Sequence, residues 1–137
     1  MRQLMLGVMI AALGGCAAFF ETIDPKPKWQ LHGSGSSYAG DFTIYVDTAT
    51  IGRFWWDGAY MRSLFDYKVA QESGWYLSKS ESYYYDCKNR RSRLRCVVHY
   101  SGQMGTRAFS GLCRDRDWTP VAPGSIDEDL WKFACGK

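Results

Sequence analysis

The sequence is poor in the residues that build catalytic and metal centres. It has two histidines, His32 and His99, and no C-x-x-C pair. A thioredoxin-like or zinc-ribbon reading therefore has no motif to stand on, and a zinc site would be short of ligands. The acidic residues are scattered. Gly35-Ser36-Ser37-Tyr38-Ala39 only faintly echoes a nucleophile elbow, because no helix is expected to follow it, and it reads as a Gly/Ser-rich turn. Charge of one sign is also scarce. The formal net charge is +3, too little for bulk electrostatics to point to nucleic acid. One long apolar run exists, from Leu4 to Leu13, about half of the roughly 20 residues that span a bilayer. That excludes a polytopic membrane protein, and 137 residues exclude a large multidomain enzyme. A non-enzyme without metal or cofactor is the expectation.

What is present is ordinary globular composition, 46% hydrophobic and 23% charged, with two departures. Aromatics reach 16%, and the five cysteines are an odd number. The first segment explains the odd thiol. Arg2, a short apolar core and then small residues form the pattern of a secretory signal peptide. Its end, Leu13-Gly14-Gly15-Cys16, resembles the bacterial lipobox. Small residues let the extended chain enter the signal peptidase, and a thiol is needed for the thioether to diacylglycerol. Residues 1–15 are thus expected to be removed and Cys16 to carry the lipid, with ordinary cleavage near Ala17-Ala18 as the alternative. Ala17 is not the aspartate of inner-membrane retention, which favours the outer membrane. Residues 16–28, with Pro25 and Pro27, read as a tether. A single domain over 29–137 follows.

From Trp29 onward, period-two alternation dominates. Phe42, Ile44 and Val46 alternate with Thr43, Tyr45 and Asp47 as a half-buried strand. Asp57-Gly58 predicts a type I′ hairpin joining residues 53–56 to a strand over 59–69. Gly74 marks a break. Further strands are expected over 77–87 and 92–100, with a charged turn at Lys88 to Arg90. After a turn at Ser101 to Gly105, residues 106–113 return antiparallel. If Tyr100 faces Phe109, the same register sets Cys96 opposite Cys113, a spacing that suits a bridge. Cys87 is then left for Cys135. In the loop-entropy account the two bridges are worth roughly 3 and 4 kcal/mol. One helix is clear, from Ile126 to Ala134, with Ser125 and Glu128 as a capping box and Gly136 at the C-terminal cap. Asp127, Glu128 and Asp129 suit its positive end.

The mature chain resembles the surface-adhesin protein E family of bacterial lipoproteins. The resemblance is carried by Trp29, TIYVDTATI (43–51), AYMRSLFDYK (59–68), YLSKSESYYYDC (76–87), YSGQMG (100–105) and the close WTPVAPGS…LWKFAC (118–135). It implies an α+β fold, a single twisted antiparallel β-sheet of about six strands with a C-terminal α-helix packed on it. It also implies the Cys87–Cys135 bridge, with Cys96–Cys113 as an addition to the family pattern. The well-known members of the family bind host matrix and serum proteins (laminin, vitronectin, plasminogen), and the resemblance implies such partners here. No short motif defines those contacts.

Two surface features could bind a partner. Arg91, Arg93 and Arg95 would share one strand face, with Leu94, Cys96 and Val98 on the other. They are either a solvated face balanced by Asp115 and Asp117 or a site for an anionic partner, such as heparin-like glycans, lipopolysaccharide or acidic protein segments. The aromatics offer the second. Trp29, Trp118 and Trp131 are expected to pack the helix onto the sheet. Phe54, Trp55 and Trp56 at a hairpin tip, and Tyr83 and Tyr85 against Tyr84, cannot all face one core. Some must therefore form a partner patch, a homodimer interface or a fold onto the helix. Two functions follow: a surface-exposed adhesin for host matrix proteins, or a periplasm-facing structural or accessory lipoprotein of the outer membrane.

Overall fold

The computed structural model describes residues 26–72 and 75–137. The signal segment, Cys16 and the break expected at Gly74 lie outside the described residues. Eight strands form one antiparallel sheet. They are β1 (Trp29–Ser37), β2 (Gly40–Asp47), β3 (Gly52–Phe54), β4 (Gly58–Gln71), β5 (Tyr76–Asp86), β6 (Arg91–Tyr100), β7 (Ala108–Cys113) and β8 (Thr119–Pro120). The order across the sheet is β1-β2-β4-β5-β6-β7, with β3 on β4 and β8 on β6. β2 pairs with residues 63–67 of β4 and β3 with residues 58–60. β7 pairs with residues 96–100 of β6 and β8 with residues 91–92. The two short strands therefore prolong existing rows, and the expected open sheet of six ordered strands stands.

The core lies on one face of this sheet. Phe42, Ile44 and Val46 are buried, as the alternation requires. Residues in register share a face, so Ser63, Phe65 and Tyr67 of β4 join them. Ala59 and Met61 lie opposite Tyr85 and Tyr83 on the same side. Helix α1 (Ile126–Cys135) closes this face with Leu130, Trp131, Ala134 and Cys135. A ten-residue helix is marginal alone, so tertiary packing has to hold it. Ser92 Oγ donates to Asp127 at 3.0 Å, tying the helix start to β6. The Cys87–Cys135 bridge pins its other end.

The helix termini differ slightly from a capping box. Ser125 Oγ accepts the Glu128 N–H at 3.1 Å. The Glu128 carboxylate accepts the N–H of Gly124 at 3.1 Å, because the Ser125 N–H already donates to the Ala122 carbonyl. Gly136 takes the left-handed conformation at φ 68°, and Lys137 N–H reaches the Lys132 carbonyl at 2.9 Å.

Both expected disulfides are present, Cys87–Cys135 and Cys96–Cys113, with sequence separations of 48 and 17. The register runs as expected from Cys96 to His99. An irregularity then sets Tyr100 opposite Ala108 rather than Phe109.

The Asp57-Gly58 hairpin is real but built differently. Phe54 pairs with Gly58, so the loop is Trp55, Trp56 and Asp57. Asp57 alone takes the left-handed conformation, φ 60°, and Gly58 is a strand residue. Three-residue loops need one such position, and aspartate tolerates it. The glycine serves space instead: a Cβ at residue 58 would collide with the Trp56 indole. Gly58→Ala is therefore expected to displace Trp56 and to cost about 1–3 kcal/mol, an overpacking penalty. A urea midpoint equal to that of the parent chain would contradict this.

Candidate functional site

The face opposite the helix carries a layer of aromatic rings and guanidinium groups. Tyr60, Tyr84 and Arg93 are register partners across β4, β5 and β6, so their side chains stand in one row. Tyr60 and Tyr84 lie 5.2 Å apart between ring centroids, and Phe54 lies 6.0 Å from Tyr84. Phe54 stacks on Trp56 at 5.4 Å, nearly parallel, and Trp56 meets Trp118 edge-on at 6.2 Å. The Arg93 guanidinium sits between Trp118 at 4.9 Å and Tyr84 at 5.2 Å. Arg91 covers the Trp118 ring at 5.4 Å. Each such cation–π contact contributes roughly 0.5–2 kcal/mol, the more so where water is excluded.

This arrangement joins two features that look separate in the sequence. Phe54 and Trp56 reach Arg91 and Arg93 through the β4–β5–β6 row and Trp118. Trp55, at the loop tip, is 97% exposed. The sequence reading misses Tyr60, Tyr84 and Trp118 as members. One signal could have found Tyr84: if Tyr83 and Tyr85 take the helix face, the residue between them must take the other.

Four expectations need correction. Tyr85 is fully buried against α1 and Ala59, and Tyr83 packs beside it at 5.9 Å. Burial raises both phenols above their ordinary range. Neither forms part of an exposed patch. Trp118 lies in the outer layer, and Trp29 lies against Arg62 at 5.6 Å; only Trp131 packs the helix onto the sheet. The face assignment along β6 also changes. Leu94 pairs with Tyr83 and Cys96 with Ser82, so Arg95 is an extra, bulged residue. The bulge returns Cys96 and Val98 to the face of Arg93, leaving Leu94 on the helix side. Finally, the balancing acid is shared unequally. Asp115 pairs with Arg95 at 3.1 Å and stands 3.9 Å from Arg93, while Arg91 is held by Asp86 at 2.7 Å.

Asp86 anchors the charged turn. It accepts from Asn89 N–H and Nδ2 at 2.9 Å each, and from Arg91. Burial pushes its carboxyl up, but the hydrogen bonds from Arg91 and Asn89 outweigh burial and hold it down at about 2. A carboxylate with a folded pKa below its unfolded value of about 3.9 stabilises the fold above pH 4. That contribution fades as pH falls from about 4 toward 2. With the half-exposed Arg91 screened by solvent, about 1–2 kcal/mol is expected to be lost. Urea midpoints at pH 5 and pH 2.5 measure it, and Asp86→Asn should shrink the difference.

Among the described residues, no group of three or more His, Cys, Asp or Glu could hold a metal ion. His32 packs edge-on against Phe133, and His99 lies between Tyr76 and Phe109. No helix among those residues is long and apolar enough to cross a membrane. The layer presents flat apolar rings beside planar hydrogen-bond donors.

Comparison with known proteins agrees on the fold. Two solved structures of Haemophilus influenzae protein E are similar. Crystal form II shares 11% identity at a TM-score of 0.53, covering 68% of this chain and 80% of that one. The selenomethionine form also shares 11% identity at a TM-score of 0.53, covering 82% and 94%. Among curated protein sequences nothing matches. The family model for surface-adhesin protein E, which describes adhesins and not enzymes, matches residues 29–136. The chain belongs to the surface-adhesin protein E family.

Proposed function

We propose that this chain is an outer-membrane lipoprotein, anchored through Cys16 after loss of residues 1–15 and displayed on a tether over 16–28. Its domain binds host matrix or serum proteins, with laminin, vitronectin and plasminogen as the partners that the family suggests. One observation carries the reading. On the face opposite the helix, Phe54 and Trp56 remain 38% exposed beside clamped arginines, and Trp55 is exposed outright. Exposed aromatics flanked by arginine are the composition of protein-binding centres.

Protease shaving of intact cells tests the orientation. Digestion of the domain is expected; a domain left untouched would support the periplasm-facing alternative. Mass spectrometry of the mature N-terminus tests the lipid on Cys16. For the binding face, Arg93→Glu with Arg95→Glu is the suitable variant, because Arg91 also holds Asp86. Matrix-protein binding should weaken about tenfold or more and lose much of its salt dependence. Unchanged binding would remove this face from the site.

A further inference from the structure

We propose that the β6–β7 edge beside the aromatic layer binds a polysulfated glycan, with Arg93 as its central sulfate contact. This deepens the adhesin reading and rests on the same outer face.

Charge is unevenly placed along the chain. Eight Lys and Arg residues and one acid, Asp115, lie between Lys88 and Arg116. The whole chain carries only +3, so the remainder is net acidic. The fold brings four of these residues to one edge, while Arg90 pairs with Glu128 on the helix side and Arg91 with Asp86. Beyond β7, Arg114 N–H donates to the Arg95 carbonyl at 2.8 Å and Arg116 N–H to the Leu94 carbonyl at 3.0 Å. That places Arg114 and Arg116 beside Arg93 and Arg95. Both are exposed, and neither has an ion pair among the described residues.

Arg93 is set apart from its neighbours. Its guanidinium carbon lies against two rings, 4.9 Å from the Trp118 centroid and 5.2 Å from that of Tyr84, which limits its freedom. Its nearest carboxylate, Asp115, stands at 3.9 Å, beyond hydrogen-bond reach. Its Nε, like that of Arg91, is buried without a partner, so an external oxyanion would be met by the Nη groups. A guanidinium with limited freedom and unspent Nη donors suits a bidentate oxyanion, and little is lost in ordering it. Asp115 sits between Arg93 and Arg95, where an external sulfate would sit.

The arrangement favours a glycan over an acidic peptide segment. Several guanidinium groups along one edge, two of them without any acid, call for closely repeated anions. Sugar rings present apolar C–H faces that lie flat on aromatic rings, and Trp56 and Trp118 adjoin the basic row.

The test uses the mature lipidated protein in phosphatidylcholine vesicles. The probes are heparin, chemically desulfated heparin and polyglutamate. Heparin is expected to bind and to weaken steeply with salt, and both other probes to bind about tenfold more weakly. Arg93→Gln should lower heparin affinity about tenfold, with Arg93→Lys recovering only part of it, because a point charge lacks the fork. Asp115→Asn removes the internal competitor and should tighten binding several-fold, a gain that misfolding cannot produce. Absence of heparin binding, equal binding of polyglutamate or desulfated heparin, or no gain in Asp115→Asn would each overturn the proposal. If heparin fails while Arg93→Glu/Arg95→Glu still abolishes matrix-protein binding on cells, the adhesin face stands without the glycan. If heparin binds as expected while shaving leaves the domain intact, the glycan site stands and the adhesin reading falls.

Discussion

Trp131→Ala is expected to cost about 3–5 kcal/mol, the range for removing a large buried aromatic side chain. Trp131 is 3% exposed and fills the space between α1 and the end of β5. Its indole N–H donates to the Asp86 carbonyl at 3.0 Å, in the turn that also positions Arg91. Arg90 and Lys137 lie over its ring at 5.0 and 5.1 Å, and Lys137 Nζ reaches the Cys87 carbonyl at 3.1 Å. One side chain thus holds together the helix, the turn and the disulfide end of β5. Trp131→Phe keeps most of the buried area and strands one carbonyl, so about 1–2 kcal/mol is expected. Chemical denaturation of both variants, with the disulfides intact, separates packing from the hydrogen bond. A loss below 1 kcal/mol for the alanine variant would mean that the helix contributes little to the core.

Much of this fold is legible in one strand's alternation and one helix's caps. Phe42, Ile44 and Val46 can be read directly, since no other period places all of them inside. Ser125 and Gly136 bound the helix because their local hydrogen bonds do not depend on the sheet. The Cys96–Cys113 pairing follows from a short hairpin, where register is a local property. The outer layer is harder to read. Three consecutive tyrosines at 83–85 have one hydropathy, so alternation divides them into two faces without saying which face the helix takes. An Arg-x-Arg-x-Arg pattern looks regular whether or not Arg95 bulges, because the bulge is set by pairing with β5. Trp118 lies outside any long strand, and backbone bonds to β6 on either side of it, at Arg116 and in β8, bring it over Arg93. Phe54 and Trp56 meet the arginines through two intervening strands, a contact that no sequence window contains.

Asp47→Ala is the other substitution with a large expected effect, about 3–5 kcal/mol, and it acts where the domain meets its tether. Asp47 is fully buried at the end of β2. It accepts from the Lys28 N–H at 2.8 Å, the Ala49 N–H at 3.1 Å, and Arg62 Nη2 and Nε at 2.7 and 3.1 Å. Arg62 in turn lies against the Trp29 ring. Removing the carboxylate takes the buried counter-ion from Arg62 and strands two backbone donors, one of them in the first residue before β1. Asp47→Asn keeps the size and one acceptor and should cost less, about 1–3 kcal/mol. Because these bonds fasten the start of β1, the damage should be local before it is global. Hydrogen exchange at Lys28 and in the first residues of β1 is expected to quicken in Asp47→Asn before amides in β4 and β5 change. Uniform loss of protection across the sheet would show that Asp47 supports the core as a whole and not the junction with the tether.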